Sequence, residues 1–325
     1  MIINNVAMNK IIDPIPVEKI LEELTMERFI RKTNNGKNEI YIVNAFNAPN
    51  VMREIGRLRE ISFRDSGGGT GLDCDLDAFD DCEENYFEQL FVWNPFDKAI
   101  VGGYRFLLCD KVRLGADGRV DTPTGELFQY SEKFVDEYLP YTIELGRSFV
   151  QPDYQPSKNF SKGIYSLDNL WDGLGFLCSA YPQAKYFFGK VTMYPQLERE
   201  SRDMILYFMK MNFPDPDHLL KPWPELELPI VMDEEKLKGI FTGKNYQENY
   251  KILVKNVRER GAAVPPLVNA YMSLSSTMRS FGTAVNPPFG NVEETGILVT
   301  IKDIFMEKYE RHAEFDPNEK PLHLS

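Results

Sequence analysis

A β-patterned apolar run that carries a glutamate, a glycine and an arginine constrains a fold more than any helix can. In this chain the run is Tyr141-Thr-Ile-Glu144-Leu-Gly146-Arg147-Ser148-Phe149-Val150. Charged side chains are seldom buried without partners, so such a strand must either be ion-paired or face a substrate. It reads as the floor of an active site, with a structural Glu144–Arg147 ion pair as the plain alternative. Side chains alternate along a regular strand, which puts Glu144, Gly146 and Ser148 on one face and Arg147 on the other. A bulge at Leu145 or Gly146 brings Glu144 and Arg147 to one face, and such a bulge is expected.

The elements around this run can be read from periodicity. Val17 to Arg31 has apolar residues at helical spacing, and Asn50 to Phe63, Leu167 to Ala180, Leu197 to Met211 and Glu234 to Arg260 also read as helices. Glu39–Val43, Gln89–Trp93, Ala99–Leu108, Lys185–Met193 and Gly296–Asp303 read as strands, the second and third joined as a hairpin by Asn94-Pro-Phe-Asp-Lys98. The pattern predicts an α/β (α+β) fold with a mixed central sheet, flanking helices and extra helical material. It is expected as one domain over 1–325, with a core of about 40–305, a helical extension at 1–38 and an insertion or linker at 214–250. Asn212 to Pro229 is proline-rich and is expected to connect, not pack. The glycines of Asp65-Ser-Gly-Gly-Gly-Thr-Gly71 form a loop; no G-K-[ST] ending makes it a phosphate loop.

Composition excludes several function classes. With 43% apolar residues the chain can bury a full core, and its net charge of -12 argues against nucleic acid as a partner. No run reaches the roughly 20 apolar residues of a membrane span. Met1-Ile-Ile-Asn-Asn lacks a signal-peptide layout, so a cytoplasmic protein without an integral membrane segment is expected. Cys74, Cys82, Cys109 and Cys178 have no C-x-x-C spacing, and His218, His312 and His323 lie far from them in sequence, so no metal site is indicated.

Four short motifs then occur in order: Leu58-Arg59-x-x-x-Phe63, Asp77-x-x-Asp80, Val101-Gly-x-x-Arg105-Phe-Leu, and Glu144-Leu-Gly-Arg147-Ser148. This order resembles the acyltransferases of the GNAT superfamily that use acyl carrier protein, among them acyl-homoserine-lactone synthases and the ornithine-lipid N-acyltransferases once labelled haemolysins. Leu170-Trp-Asp-Gly-Leu, Tyr186-Phe-Phe-Gly189 and Phe289-Gly further resemble the ornithine-lipid branch. Within these the chain most resembles glycine-lipid synthases, which join glycine to a 3-hydroxy fatty acyl group. The resemblance implies a GNAT-like fold with a splayed or bulged strand near Gly146. It also implies an N-acyltransferase with acyl carrier protein as donor and partner, a small amino acid as acceptor, and no tightly bound cofactor. Gln155-Pro-Ser-Lys-Asn-Phe-Ser-Lys-Gly163 departs from the Q/R-x-x-G-x-G/A loop that binds coenzyme A in such folds, which favours carrier protein over acyl-coenzyme A.

On this resemblance Glu144, Arg147 and Ser148 are the catalytic candidates. A free α-amino group has a pKa of about 8 and must lose a proton before it attacks a thioester; Glu144 is the candidate base or amine orienter, directly or through water. The backbone N–H groups of Arg147 to Val150 are candidate oxyanion donors. Arg59, Phe63, Asp77, Asp80, Arg105, Phe149 and Val150 are the substrate-binding candidates. Phe63, Trp93, Phe106 and Phe149 either line an acyl tunnel or form ordinary core. Arg105 either meets substrate or stitches the hairpin to the acidic Asp77/Asp80 loop. Lys158 and Lys162, with Lys185 and Lys190, are expected to dock the acidic carrier protein. An ornithine acyltransferase, a homoserine-lactone-type synthase and a non-catalytic carrier-protein or acyl-chain binding module remain as alternatives.

Overall fold

The computed structural model describes residues 8–313 and 318–322, so the start of the chain and His323 lie outside the described residues. Its strands are β1 Phe29–Lys32, β2 Glu39–Val43, β3 Glu88–Asn94, β4 Ala99–Leu108, β5 Phe128–Tyr130, β6 Thr142–Val150, β7 Tyr186–Met193, β8 Leu220–Pro222, β9 Arg279–Asn286 and β10 Val292–Thr300. The helices used below are α1 Val17–Glu23, α2 Pro49–Ser66, α3 Ala78–Asp81, α4 Phe160–Gly163, α5 Ser166–Ala180, α6 Arg199–Asn212, α7 Glu234–Ile240, α8 Tyr246–Glu259, α9 Pro266–Met272 and α10 Met306–Ala313. They divide between two compact units, one made of Met1–Lys111, Ile143–Ala184 and Met306–Ser325, the other of Val112–Thr142 and Lys185–Phe305. The class is α/β, as expected.

In the first unit β1, β2, β3, β4 and β6 are joined in that order by antiparallel ladders. The β3–β4 hairpin forms as its sequence predicts: the Asn94 side-chain oxygen accepts from the N–H groups of Phe96 and Asp97 at 2.9 and 3.0 Å, and Lys98 closes the turn at φ 51°. Every residue between the ends of β3 and β4 is buried, so polar residues there must find partners inside. Helix α2 starts on Pro49 and stops at Gly67, whose φ of 94° is the left-handed cap that glycine adopts without a Cβ clash. It covers the face that carries Gln89 and Arg105. Helix α5 covers the other face, where a Cβ on Gly173 would lie 2.4 Å from Leu90 and 2.8 Å from the Tyr104 hydroxyl. The Trp171-Asp172-Gly173 motif is thus partly a packing device. Asp172 also holds α10, through a 2.7 Å contact with His312 Nδ1.

Two expected boundaries in this unit shift. The helix expected from Val17 to Arg31 stops at Glu23, and Phe29–Lys32 joins the sheet beside β2. Its Phe-Ile pair suits a pleated surface, and strand pairing overrides the helical spacing. The sheet therefore begins inside the segment expected as a helical extension.

In the second unit β7, β10 and β9 form an antiparallel ladder, and the short strands β5 and β8 form another. The rings of Tyr130, Phe134, Phe188 and Phe281 build its core. The segment expected to connect from Asn212 to Pro229 carries β8 and buries Phe213, Leu219 and Leu220. Glu234 to Arg260 is two helices, α7 and α8, because Asn249 Oδ1 accepts from Gly243 N–H at 2.8 Å and Asn245 caps the second helix afresh. Strand β9 shows no clean apolar alternation because one of its buried positions is the polar Thr283, beside buried Phe281 and Ala284. No helix among the described residues is long and apolar enough to cross a membrane.

Candidate active site

Antiparallel pairing sets which side chains share a face. Gln89 faces Arg105, Leu107 faces Glu144 and Arg105 faces Gly146, so Gln89, Arg105, Glu144 and Gly146 share the face under α2. Gly146 lies against the Arg105 side chain: a Cβ there would sit 3.5 Å from Arg105 Nε, in ordinary contact. The ladder is paired through Gly146 and then breaks. Between Arg105↔Gly146 and Gly103↔Phe149 a single residue, Tyr104, faces two, Arg147 and Ser148. The bulge therefore falls at Arg147–Ser148, one step beyond the expected Leu145 or Gly146. Arg147 has φ 51°, and it alone among the described non-glycine residues with positive φ lies inside a strand. That conformation costs on the order of 1 kcal/mol or more, and surrounding contacts must hold it.

Those contacts are carboxylates. Arg147 Nε lies 3.1 Å from Asp75 Oδ1 and 3.1 Å from Oδ2, and its Nη2 lies 3.6 Å from Asp77. Asp77 also accepts from Arg105 at 2.7 Å, and Arg105 lies 3.1 Å from Asp80. The bulge thus turns Arg147 to the face of Glu144 and Arg105, as the irregular strand was expected to do. Deeper in, Arg59 lies 3.3 Å from Asp80 and donates to the Gln89 side-chain oxygen, while Gln89 Nε2 donates to Asp80 at 2.9 Å. Helix α3 is closed at its start by Asp77 and Asp80: Phe79 N–H donates to Asp77, and Asp77 N–H donates to Asp80.

The network divides by exposure. Arg59, Asp80 and Arg105 are at most 1% exposed, whereas the Asp77 and Arg147 side chains retain 32% and 16%. Only the outer pair can meet a molecule without rearrangement. Glu144, at 2%, is enclosed beside them. Phe63 and Phe149 are buried, Val150 and Ser148 half-buried. Phe106 pairs with Leu145 and stacks toward Tyr181 on the face opposite Phe149, so these two rings cannot line one tunnel.

Burial pushes the Asp80 carboxyl up, but Arg59, Arg105 and the Asp77 N–H outweigh it and hold Asp80 down at about 2. A depressed carboxylate stabilises the fold above its unfolded pKa, and that contribution disappears as pH falls through the folded value. From the ordinary 3.8 to about 2 it amounts to about 2 kcal/mol. The stability advantage of the unmodified protein over Asp80→Asn is expected to shrink between about pH 4 and pH 2, measured by urea denaturation at each pH. Asp75 behaves oppositely. Burial raises its carboxyl despite Arg147, Arg59 and Arg105. The Cys109 thiol, against the Glu144 backbone, is pushed well up by burial and then by the Glu144 charge, so it stays neutral and is a poor nucleophile.

The docking lysines are less basic as a surface than their sequence suggests. Lys158 lies 2.6 Å from Asp65, and Lys162 2.7 Å from Asp97. Lys190 is mostly buried, 3.6 Å from Glu294, and Lys185 sits over the Tyr141 ring. Gly163 is used in packing: a Cβ there would lie 2.4 Å from Pro156 N. Sequence reasoning missed Asp75 and Gln89. The signals were an Asp73-Cys-Asp75-Leu-Asp77 alternation within one acidic run and a lone amide on the buried face of β3.

Residues 58–162 match the acetyltransferase (GNAT) domain family. The chain is 52% identical over 309 residues to a protein of Bacteroides thetaiotaomicron named glycine N(alpha)-acyltransferase, covering 94% of this chain and 90% of that one. It is also 52% identical over 307 residues to a protein of Phocaeicola vulgatus with the same name, covering 94% and 93%. With this full-length similarity and the ordered Arg59, Asp77, Asp80, Arg105, Glu144 and Arg147 set gathered at one strand bulge, the chain is an acyltransferase enzyme and belongs, within the GNAT fold, to the family of these two proteins.

Proposed function

We propose that this enzyme transfers a long-chain, 3-hydroxylated fatty acyl group from the phosphopantetheine thioester of acyl carrier protein to the α-amino group of glycine. The observation that carries the reading is the 52% identity, across 94% of the chain, to two proteins named for glycine Nα-acylation. Carrier protein and the 3-hydroxyl group come from the family resemblance, supported by a Gln155–Gly163 loop that lacks the coenzyme A pattern.

In this mechanism the glycine ammonium enters beside Asp77, the exposed carboxylate of the network, and gives a proton to Glu144 through a water. The freed amine nitrogen forms a bond to the thioester carbon. The carbonyl oxygen becomes an oxyanion, held by backbone N–H groups in the stretch from Arg147 to Val150. The C–S bond then breaks as the oxyanion collapses to the amide carbonyl, the amine passes its second proton into the water chain, and Glu144 releases the first proton to solvent. The thiolate leaves readily, since a thiol pKa is about 8.5, and recovers a proton from the water chain. Transfer is direct from thioester to amine, with no acyl-enzyme step. Arg59, Asp80 and Arg105, being enclosed, position this site without touching substrate. Docking of an acidic carrier at Lys158 and Lys162 requires its carboxylates to replace Asp65 and Asp97.

Mass spectrometry of lipid extracts from cells expressing the chain is expected to show an N-acylglycine absent from cells carrying empty vector. Acylated ornithine in its place would redirect the acceptor assignment, and the absence of any new lipid favours a binding module. With purified protein, turnover of acyl carrier protein thioester well above that of the matching coenzyme A thioester is expected; the reverse order overturns the donor assignment.

A further inference from the structure

We propose that Asp75 is a positioning residue, one that holds the β6 bulge in its reactive shape by clamping Arg147. The inference rests on the reading that this bulge serves acyl transfer, and no motif in the family pattern includes Asp75.

Asp75 is built as an anchor. Its N–H donates to the Gly56 carbonyl at 3.0 Å, and its own carbonyl accepts from Arg59 at 3.5 Å, so its backbone is fastened to α2 at both ends. Gly56 allows that approach. A Cβ at position 56 would lie 2.6 Å from Cys74 Sγ and 2.8 Å from Leu76 Cγ, on either side of Asp75. The Asp75 side chain is 1% exposed and meets the Nε edge of Arg147. Arg147 is the residue in left-handed conformation within β6, where an unclamped arginine would relax toward the extended region and straighten the strand. Straightening moves every N–H from Arg147 onward and reverses which face Arg147 occupies. A rigid helix is thereby connected to the backbone groups that the mechanism uses for the oxyanion.

A double-mutant cycle isolates the clamp from general support of the loop. Glycine adopts positive φ without a Cβ clash, so Arg147→Gly removes the need for a clamp. Asp75→Asn is expected to lower kcat on the order of tenfold to a hundredfold with little change in KM, as a displacement of about 1 Å in catalytic groups does. In the Arg147→Gly background the same substitution should change kcat less than about twofold, a non-additive result diagnostic of direct coupling. Equal losses in both backgrounds, or no loss in either, overturn the proposal. Amide hydrogen exchange over residues 145–150 gives a readout independent of turnover: it should quicken in Asp75→Asn and be alike in Arg147→Gly and the double variant. Unchanged exchange in Asp75→Asn refutes the clamp even if the enzyme makes no N-acylglycine, whereas altered exchange with an inactive parent protein faults the functional reading alone. If Asp75→Asn does not fold, Arg147→Lys, which keeps the charge and removes the Nε donor, carries the same exchange test with the same two outcomes.

Discussion

Glu144→Gln is expected to reduce N-acylglycine formation on the order of a hundredfold to ten-thousandfold, the usual contribution of a positioned general base. The substitution preserves shape and hydrogen-bonding capacity, so the side chain stays in its enclosed place between Leu107 and Gly146 and the protein should remain folded. Glutamine cannot accept the ammonium proton. The residual rate should therefore rise with pH until glycine itself is deprotonated, above its amino pKa, and glycine methyl ester, whose amine is less basic, should lose less than glycine does. Retained binding of the acyl thioester together with lost turnover places Glu144 in the chemistry. Undiminished product formation removes it, and Asp77, the other carboxylate on that face with exposure, becomes the candidate.

The strands that line this site were legible because burial and pairing leave a strict signature. β4 is buried along its whole interior, and only an all-apolar run broken by Arg105 satisfies that. The positions of Glu144, Arg147, Asp77 and Arg105 followed from motif order. What the sequence could not say is which carboxylate each guanidinium takes. Asp73, Asp75, Asp77, Asp80 and Asp81 look alike in an acidic run, and only the docking of residues 74–76 onto Gly56 selects Asp75 for Arg147. The bulge was legible in kind and misplaced by one step. Glycine is the usual residue for a left-handed bulge, yet here the positive φ falls on Arg147, one residue past Gly146, where ion pairs can hold it. The helical reading of Phe29 to Arg31 fails for a comparable reason: local periodicity cannot see a sheet edge waiting for a partner strand.

That same network sets the second large effect, on stability. Arg105 is 1% exposed and meets Asp77 at 2.7 Å, Asp80 at 3.1 Å and the Phe87 ring, its guanidinium carbon 4.8 Å from the centroid. Replacing it by methionine fills much of the volume but leaves the Asp80 carboxylate in the interior with one guanidinium instead of two. Breaking a buried pair from one side costs about 3–5 kcal/mol, because the remaining charge has lost its solvation and half its compensation. The Arg105→Met midpoint in urea, followed through the buried Trp93 of β3, should fall accordingly. Removing the stranded charge as well should recover part of the loss: Arg105→Met with Asp80→Asn is expected to be more stable than the sum of the two single substitutions by about 1–3 kcal/mol. Additive losses would mean that Arg105 stabilises the sheet mainly through its contact with Phe87. Arg59 would then hold Asp80 unaided, and the depressed Asp80 carboxyl should persist in Arg105→Met, which the acid limb of its stability profile reads directly.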